Sequence, residues 1–211
     1  APKDAETFGQ YTDVIIRQTG DLRRIVDEFS KFARMPEPEL SEQDLTKILG
    51  DAVLLQKTAM PDVTFDASLP ETPVMAELDA TMISQALVNL IKNAGEAIES
   101  YIKKNKPVGY KPEIKVRMKL EDGVIRIDIS DNGIGLPEDR ARLFEPYVTT
   151  REEGTGLGLP IVKKIIEEHG GTLRLHDAEI FEGNTHFGAR VEVRLPLRGV
   201  KLRSGNRKKA I

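Results

Sequence analysis

Residues 84–98, SQALVNLIKNAGEAI, constrain this chain more than any other stretch, because one helix there must carry an apolar face and a row of carboxamides side by side. Ile83, Leu87, Leu90, Ala94, Ala97 and Ile98 recur at helical spacing and predict a face turned toward a core. Gln85, Asn89 and Asn93 stand four apart and therefore stack along a neighbouring face. Asparagine side chains compete for backbone hydrogen bonds, so two in mid-helix ask for a reason beyond propensity. Two readings stay open at this point. One is a solvated amide strip; the other is a set of hard, neutral oxygen ligands for a magnesium ion that keeps most of its waters and is shared with phosphates.

The chain has 211 residues, enough for one good core and an appendage. Hydrophobic residues make up 39% and charged residues 31%, with no long apolar run, which reads as globular without a membrane span. The absence of cysteine excludes disulfides and thiol chemistry. A net charge of -3 makes no general case for nucleic acid. There is no initiator methionine and no signal peptide, and the expectation is a piece of a longer protein.

In residues 6–35, Phe8, Tyr11, Ile15, Leu22, Ile25, Phe29 and Phe32 recur at steps of three and four, interrupted at Gln18 and widened by Val14 and Val26. This is a coiled-coil seam, and one helix cannot bury it alone. Pro36 and Pro38 end that helix. The expected layout is a helical unit over 1–36, a linker over 37–40, a second unit over 41–197 and a basic tail over 198–211. Within the second unit Ser41 is expected to cap a helix to about Thr58, with Leu45, Ile48, Leu49, Ala52, Val53 and Leu55 buried. Short strands are expected at 63–67 and 74–76 around Pro70, and Asp79 is the expected N-cap of the carboxamide helix. Alternation predicts strands at 114–120 and 124–130, then an irregular segment over 131–158 and a helix over 159–169 stopped by Gly170 and Gly171. Two last strands follow at 172–176 and 189–195. Helices set apart from a largely antiparallel sheet imply an α+β fold, a two-layer α/β sandwich.

Three further stretches carry candidate chemistry. In DNGIGLP, residues 131–137, Asp131 follows a strand directly, and the glycines permit a sharp turn with close backbone approach. Its carboxylate could accept from an exocyclic amine such as that of adenine, or the stretch is an ordinary Asp-Asn-Gly turn. GTGLGLP, residues 154–160, opens a helix whose first-turn amides could meet phosphate, with Pro160 in that turn. Its G-x-G-x-G spacing is neither a dinucleotide fingerprint nor a P-loop. Between them, LFEPYVTTREEG holds Thr149, Thr150 and Arg151, either a lid that reaches phosphate oxygens or a surface loop. Lys92 adds a cation beside the asparagines.

An NxxxN helix, DxGxG after a strand, a Phe-Glu-Pro segment and GTGLGL opening a helix, in this order, resemble the nucleotide-binding domain of sensor histidine kinases. The resemblance covers about residues 40–196 and implies the Bergerat-type ATP-binding sandwich of gyrase, Hsp90, histidine kinases and MutL. FSKFARMP resembles the end of the second helix of the family's dimerisation hairpin, and the glycine-rich stretch is most similar to the nitrogen-regulation branch, the NtrY-like sensors. Carried over, the resemblance implies ATP and Mg2+ as cofactors. Asn93 would be the metal ligand, with Asn89 on metal or phosphate, and Lys92 and Arg151 would neutralise phosphate charge. Asp131 would meet the adenine amine, and Gly133 and Gly135 would shape its pocket. Gly154, Thr155, Gly156, Leu157 and Gly158 would line the phosphates. The implied partners are a response-regulator receiver domain, a missing helix that supplies the phosphoacceptor histidine, and a second copy in the parent. That parent would be anchored in the inner membrane of a bacterium, with this portion cytoplasmic.

The pattern departs in two places. The family's acceptor motif, His-Glu-x-x-x-Pro, does not occur. His169, His176 and His186 are expected to be structural or incidental, and the acceptor is expected upstream of Ala1. Ala189 and Val191 stand where relatives often place a hydroxyl and an aromatic, which puts a water-mediated adenine contact in doubt. Competing readings are an ATP-hydrolysing gyrase, Hsp90 or MutL relative, which would need a glutamate base where Asn89 stands, and a nonenzymatic dimerisation or regulator-docking module built on the first helix.

Overall fold

The computed structural model describes residues 2–33, 35–149 and 155–197. In order, these form helix α1 (Pro2–Ala33), strand β1 (Ser41–Asp44), α2 (Leu45–Ala59), β2 (Thr64–Ser68), β3 (Met75–Leu78), α3 (Ala80–Asn105), β4 (Glu113–Glu121) and β5 (Val124–Asp131). A 3-10 turn (Arg140–Phe144), α4 (Gly158–Glu168), β6 (Thr172–Asp177) and β7 (Ala189–Pro196) complete them.

The main sheet has the order β2-β4-β5-β7-β6. β4 and β5 join across Asp122 and Gly123, with φ of 46° and 78°, the left-handed pair that a twisted hairpin favours. Ile114, Val116 and Met118 of β4 share one face with Ile125, Ile127 and Ile129 of β5, and Leu173, Val193 and Leu195 continue it. That face meets α2, α3 and α4 in one apolar cluster. Five large aliphatic side chains of α3, Ile83, Leu87, Leu90, Ile91 and Ile98, lie in that cluster at 0–1% exposure. Burial of each stabilises the fold by about 1.5–3 kcal/mol. The opposite sheet face is ionic: Arg126 meets Asp128 at 2.8 Å and Glu192 at 3.2 Å, and Arg117 pairs with Asp66.

Two expectations need correction, and the sheet adds a feature that local alternation does not specify. Ser41 does not cap α2: residues 41–44 pair antiparallel with β3, and Asp44 caps the helix by accepting from Thr46 N at 3.0 Å and Lys47 N at 3.2 Å. The two short strands expected either side of Pro70 are present and go to different sheets. β3 joins β1, and β2 runs parallel to β4, so the sheet has one parallel edge. Leu55 is 56% exposed because the buried stripe of Leu45, Leu49, Ala52 and Val53 continues to Gln56 instead. Along α1, Phe8, Tyr11, Val14, Ile15, Leu22 and Val26 are exposed; the side chains of Ile25, Phe29 and Phe32 lie outside those described. No helix among the described residues is long and apolar enough to cross a membrane.

The small β1-β3 ribbon delivers both helix caps. Asp79 follows β3 and caps α3 through Thr81 N and Met82 N, while its Oδ2 accepts from Glu39 N at 3.1 Å. His169, the C-cap of α4, closes this corner: its Nε2 accepts from Asp79 N at 3.0 Å and its Nδ1 donates to Ile165 O at 2.7 Å. His169 is 8% exposed and thus ties the start of α3 to the end of α4. Replacing it with alanine leaves the Asp79 N–H without its acceptor. His169→Ala is expected to cost about 1–3 kcal/mol, read as a lower urea midpoint. An unchanged midpoint would remove this tie from the fold's supports.

Candidate nucleotide site

Helix α3 acts as the ruler of the site. Near its middle, Asn93 Nδ2 donates to Asn89 Oδ1 at 2.9 Å, which fixes the two carboxamides as one unit. One turn beyond Asn93, Ala97 O accepts from Ile134 N at 3.1 Å. The turn after β5 thus lies on α3 at Ala97, eight residues or about 12 Å from Asn89. Gly133 makes that approach feasible, since a Cβ there would stand 2.4 Å from the Ala97 carbonyl carbon. At the other end, a Cβ on Gly158 would come within 3.0 Å of Asn89 Oδ1, so the N-terminus of α4 sits on the carboxamide pair. Lys92, 65% exposed, pairs with Glu96 at 3.6 Å on the same helix.

The DNG turn is held from several sides. Asn132 is 1% exposed; its Oδ1 accepts from Glu113 N at 2.9 Å and its Nδ2 donates to Lys111 O at 2.8 Å. The Tyr110 hydroxyl lies 2.8 Å from both Asn132 O and Asn132 Oδ1. Burial, with the charge of Asp131 nearby, pushes the Tyr110 phenol above its ordinary range, so it stays a donor. Asp131 is 4% exposed. Its Oδ1 accepts from Gly133 N at 2.9 Å and from Ala189 N at 3.5 Å. No protein donor among the described residues meets its Oδ2. Burial pushes the Asp131 carboxyl up to about 7, against the two backbone donors that favour its charge. This is a largely buried carboxyl whose Oδ2 keeps an opening to the outside.

Gly135, at φ 79°, packs beneath Phe187 O, which a Cβ would reach at 2.8 Å. Gly156, at φ 70°, accepts from Tyr147 N at 3.1 Å and has room for no Cβ against the Tyr147 backbone. The segment before α4 is therefore seated on its glycine-rich loop. Thr149 lines a cavity of about 420 Å³ with Arg142 and Tyr147. Thr155 Oγ1 accepts from Leu157 N at 3.5 Å, and the Leu157 side chain is fully buried in the core. The outward amides of α4 are therefore those of Gly158 and Leu159, which have no intrahelical acceptor in a first turn. Thr150, Arg151 and Gly154 lie outside the described residues.

Sequence reasoning did not assign the roles of four participants. Asn132 and Tyr110 build the turn, His186 pins it from the β6–β7 connection, and Gly188 lets β7 approach Asp131. Only Gly188 had a legible signal, a glycine at the mouth of a strand. A Cβ on Gly188 would fall 1.8 Å from Asp131 O. Gly188→Ala is expected to lower stability by about 1–3 kcal/mol through forced displacement of β7 or the turn, measured by thermal unfolding. Wild-type stability would show that the approach is not needed.

Residues 78–199 match the family described as histidine kinase-, DNA gyrase B- and HSP90-like ATPase. Nitrogen regulation protein NtrY of Azorhizobium caulinodans is 49% identical over 205 residues, which takes in 94% of this chain and 25% of that protein. Among solved structures, full-length ShkA in complex with AMPPNP is 25% identical with a TM-score of 0.65, over 87% of this chain and 37% of that one. Histidine kinase ThkA in complex with response regulator protein TrrA is 26% identical with a TM-score of 0.64, over 88% and 50%. The chain thus spans a quarter to a half of the length of these relatives. With more than half of its residues inside the family match, the chain belongs to the histidine kinase-, DNA gyrase B- and HSP90-like ATPases.

Proposed function

We propose that this chain is the ATP-binding catalytic portion of a sensor histidine kinase of the NtrY type, holding Mg-ATP for γ-phosphoryl transfer to a histidine outside residues 1–211. The observation that carries it is that the turn bearing the largely buried Asp131 rests on α3 at Ala97, about 12 Å along the helix from Asn89 and the α4 N-terminus. One extended nucleotide fits such a ruler, its adenine amine donating to Asp131 Oδ2 and its phosphates at the carboxamides and the amides of Gly158 and Leu159. Gly133 and Gly135 shape the base end. Thr149, Thr150, Arg151, Gly154, Thr155, Gly156, Leu157 and Lys92 belong to the phosphate end by resemblance. Two amide side chains are too few for a protein-only metal site and suit Mg2+ that completes its shell with water and phosphate oxygens. When bound, that ion would neutralise charge on the transferring group.

The other chemical participants follow from the same reading. Residues 1–36 are the second helix of a dimerisation hairpin, 37–40 a linker, 41–197 the catalytic unit and 198–211 a basic tail. The phosphoryl group passes from the missing helix to a response-regulator aspartate; the likeness to a histidine kinase solved in complex with a response regulator protein supports this. The parent is a membrane-anchored homodimer with this portion cytoplasmic. Its hydrolytic alternative is disfavoured by Asn89, since a carboxamide takes no proton from water.

Mixed with a hairpin that carries a His-Glu-x-x-x-Pro helix and with radiolabelled ATP, the chain is expected to label that histidine while steady-state hydrolysis stays low. No labelled histidine would remove the kinase reading, and brisk hydrolysis would restore the ATPase one.

At the base end, Asp131→Asn is expected to lose a charge-assisted bond worth about 1.5–3 kcal/mol, or roughly tenfold to a hundredfold in affinity for ATP. The wild-type site carries a pH signature as well. An acid whose carboxyl rests at about 7 is protonated below it and loses the charge that strengthens its bond to the amine. Affinity should therefore rise with pH, roughly tenfold between pH 6 and pH 8. Calorimetry referenced to Asp131→Asn cancels the nucleotide's own titration. A pH-independent ratio of the two affinities would place the base elsewhere.

A further inference from the structure

His186 lies on the connection between β6 and β7, far in sequence from the turn at 131–135, yet it is that turn's outer pin. Its Nε2 stands 2.9 Å from Asn132 O and 3.0 Å from Gly133 O. Both partners are carbonyl oxygens, which only accept, so Nε2 carries the proton and donates to both. The ring stacks on Tyr101 of α3 at 4.0 Å between centroids and 14° between planes, and Tyr110 packs on Tyr101 at 5.0 Å. The connection is anchored on its far side too, where Phe181, 4% exposed, receives Lys115 Nζ at 4.1 Å from its ring centroid.

Gly133 links this pin to the base end. Its carbonyl accepts from His186, its N–H donates to Asp131 Oδ1 at 2.9 Å, and its Cα rests on α3 at Ala97. The peptide units on either side of Gly133 are thereby fixed between a histidine on one side and a helix on the other. A turn free to rotate at a glycine would let that N–H, and with it the carboxylate, swing.

We propose that His186 is a positioning residue for adenine recognition: by clamping Asn132 O and Gly133 O against α3, it holds the Asp131 carboxylate in the orientation that meets the base. This rests on the nucleotide reading given above. In this role His186 acts through the carbonyls of Asn132 and Gly133 rather than by contact with the base.

A double-mutant cycle in the full chain tests it, with ATP and Mg2+ as the probe in calorimetry and amide hydrogen exchange as the second readout. His186→Leu keeps a bulky side chain on Tyr101 but has no donor. It is expected to weaken ATP about three- to tenfold and to speed exchange at Gly133 and Ile134 while the β4, β5 and β7 amides keep their protection. His186→Gln, whose amide N–H can reach the same carbonyls, is expected to restore most of both. In an Asp131→Asn background, His186→Leu should have no further effect, because both changes break one coupled unit. Should leucine disturb folding, His186→Ala takes its place in the cycle. Unchanged affinity in the single variant, no recovery with glutamine, or losses that simply add would overturn the positioning role while leaving the nucleotide site intact. If Asp131→Asn alone leaves ATP affinity unchanged, the nucleotide reading falls and the positioning role falls with it.

Discussion

Close approach of backbone to helix α3 is the constraint on which the rest of the arrangement depends. Three glycines make it feasible, two of them along the Asn89–Ala97 side of the helix and one on another face. Gly133 brings the turn after β5 against Ala97, Gly158 brings the start of α4 against Asn89, and Gly95 in the helix itself admits Met60. A Cβ at Gly133 would push the turn off the helix, because what it meets is backbone, whereas at Gly158 and Gly95 it would meet the Asn89 and Met60 side chains. The apolar face of α3 independently fixes how the helix lies on the sheet, since its large aliphatic residues share one cluster with β4, β5 and β7. Core packing thus sets the ruler's position, and the glycines set what is read along it.

The base end is a polar network that is complete except at one atom. Asn132 meets the Glu113 amide, the Lys111 carbonyl and the Tyr110 hydroxyl. The Asp131 carboxylate has two backbone donors on Oδ1 and none on Oδ2. A buried carboxylate that is under-supplied with donors is costly, and it responds by holding its proton more tightly. The satisfied neighbours keep the turn from relaxing to relieve that cost. The result is a carboxyl oxygen open to a donor from outside the chain, water or a ligand, and in the nucleotide reading that donor is an exocyclic amine.

How much of this was legible in the sequence follows physical lines. The carboxamide helix, the β4-β5 hairpin and the glycine-bounded α4 were readable because each has a period or a punctuation that burial enforces. The α/β sandwich followed from them. The start of α2 was misplaced because Ser41 and Asp44 are both good N-cap residues, and what decides between them is the pairing of residues 41–44 with β3, a non-local contact. The parallel edge of the sheet was hidden for the same reason, since local alternation carries no information on which strand is the neighbour. Leu55 was assigned by hydrophobicity alone, while the stripe itself passes through Gln56. Of the site, Asp131 and the asparagines were visible because their residue types are odd in their settings. His186 was expected to be structural or incidental, and its partners were not legible: a histidine in an irregular connection has no period, and its two acceptors lie more than fifty positions away.

The same geometry also separates holding a nucleotide from breaking it. Asn89 stands against the first turn of α4, where amides and the positive end of a helix dipole favour phosphate. Its Oδ1 is already engaged by Asn93, so the pair is a fixed dipolar surface and not a proton acceptor. Water activation needs a group that can take a proton at that place, and a carboxamide has no such capacity. Phosphoryl transfer to a positioned nucleophile makes no such demand of this helix, because it draws chiefly on alignment and charge compensation. A site built from amides and glycine backbone is therefore suited to present a phosphoryl group to a nucleophile that another helix brings, and poorly suited to spend it on solvent.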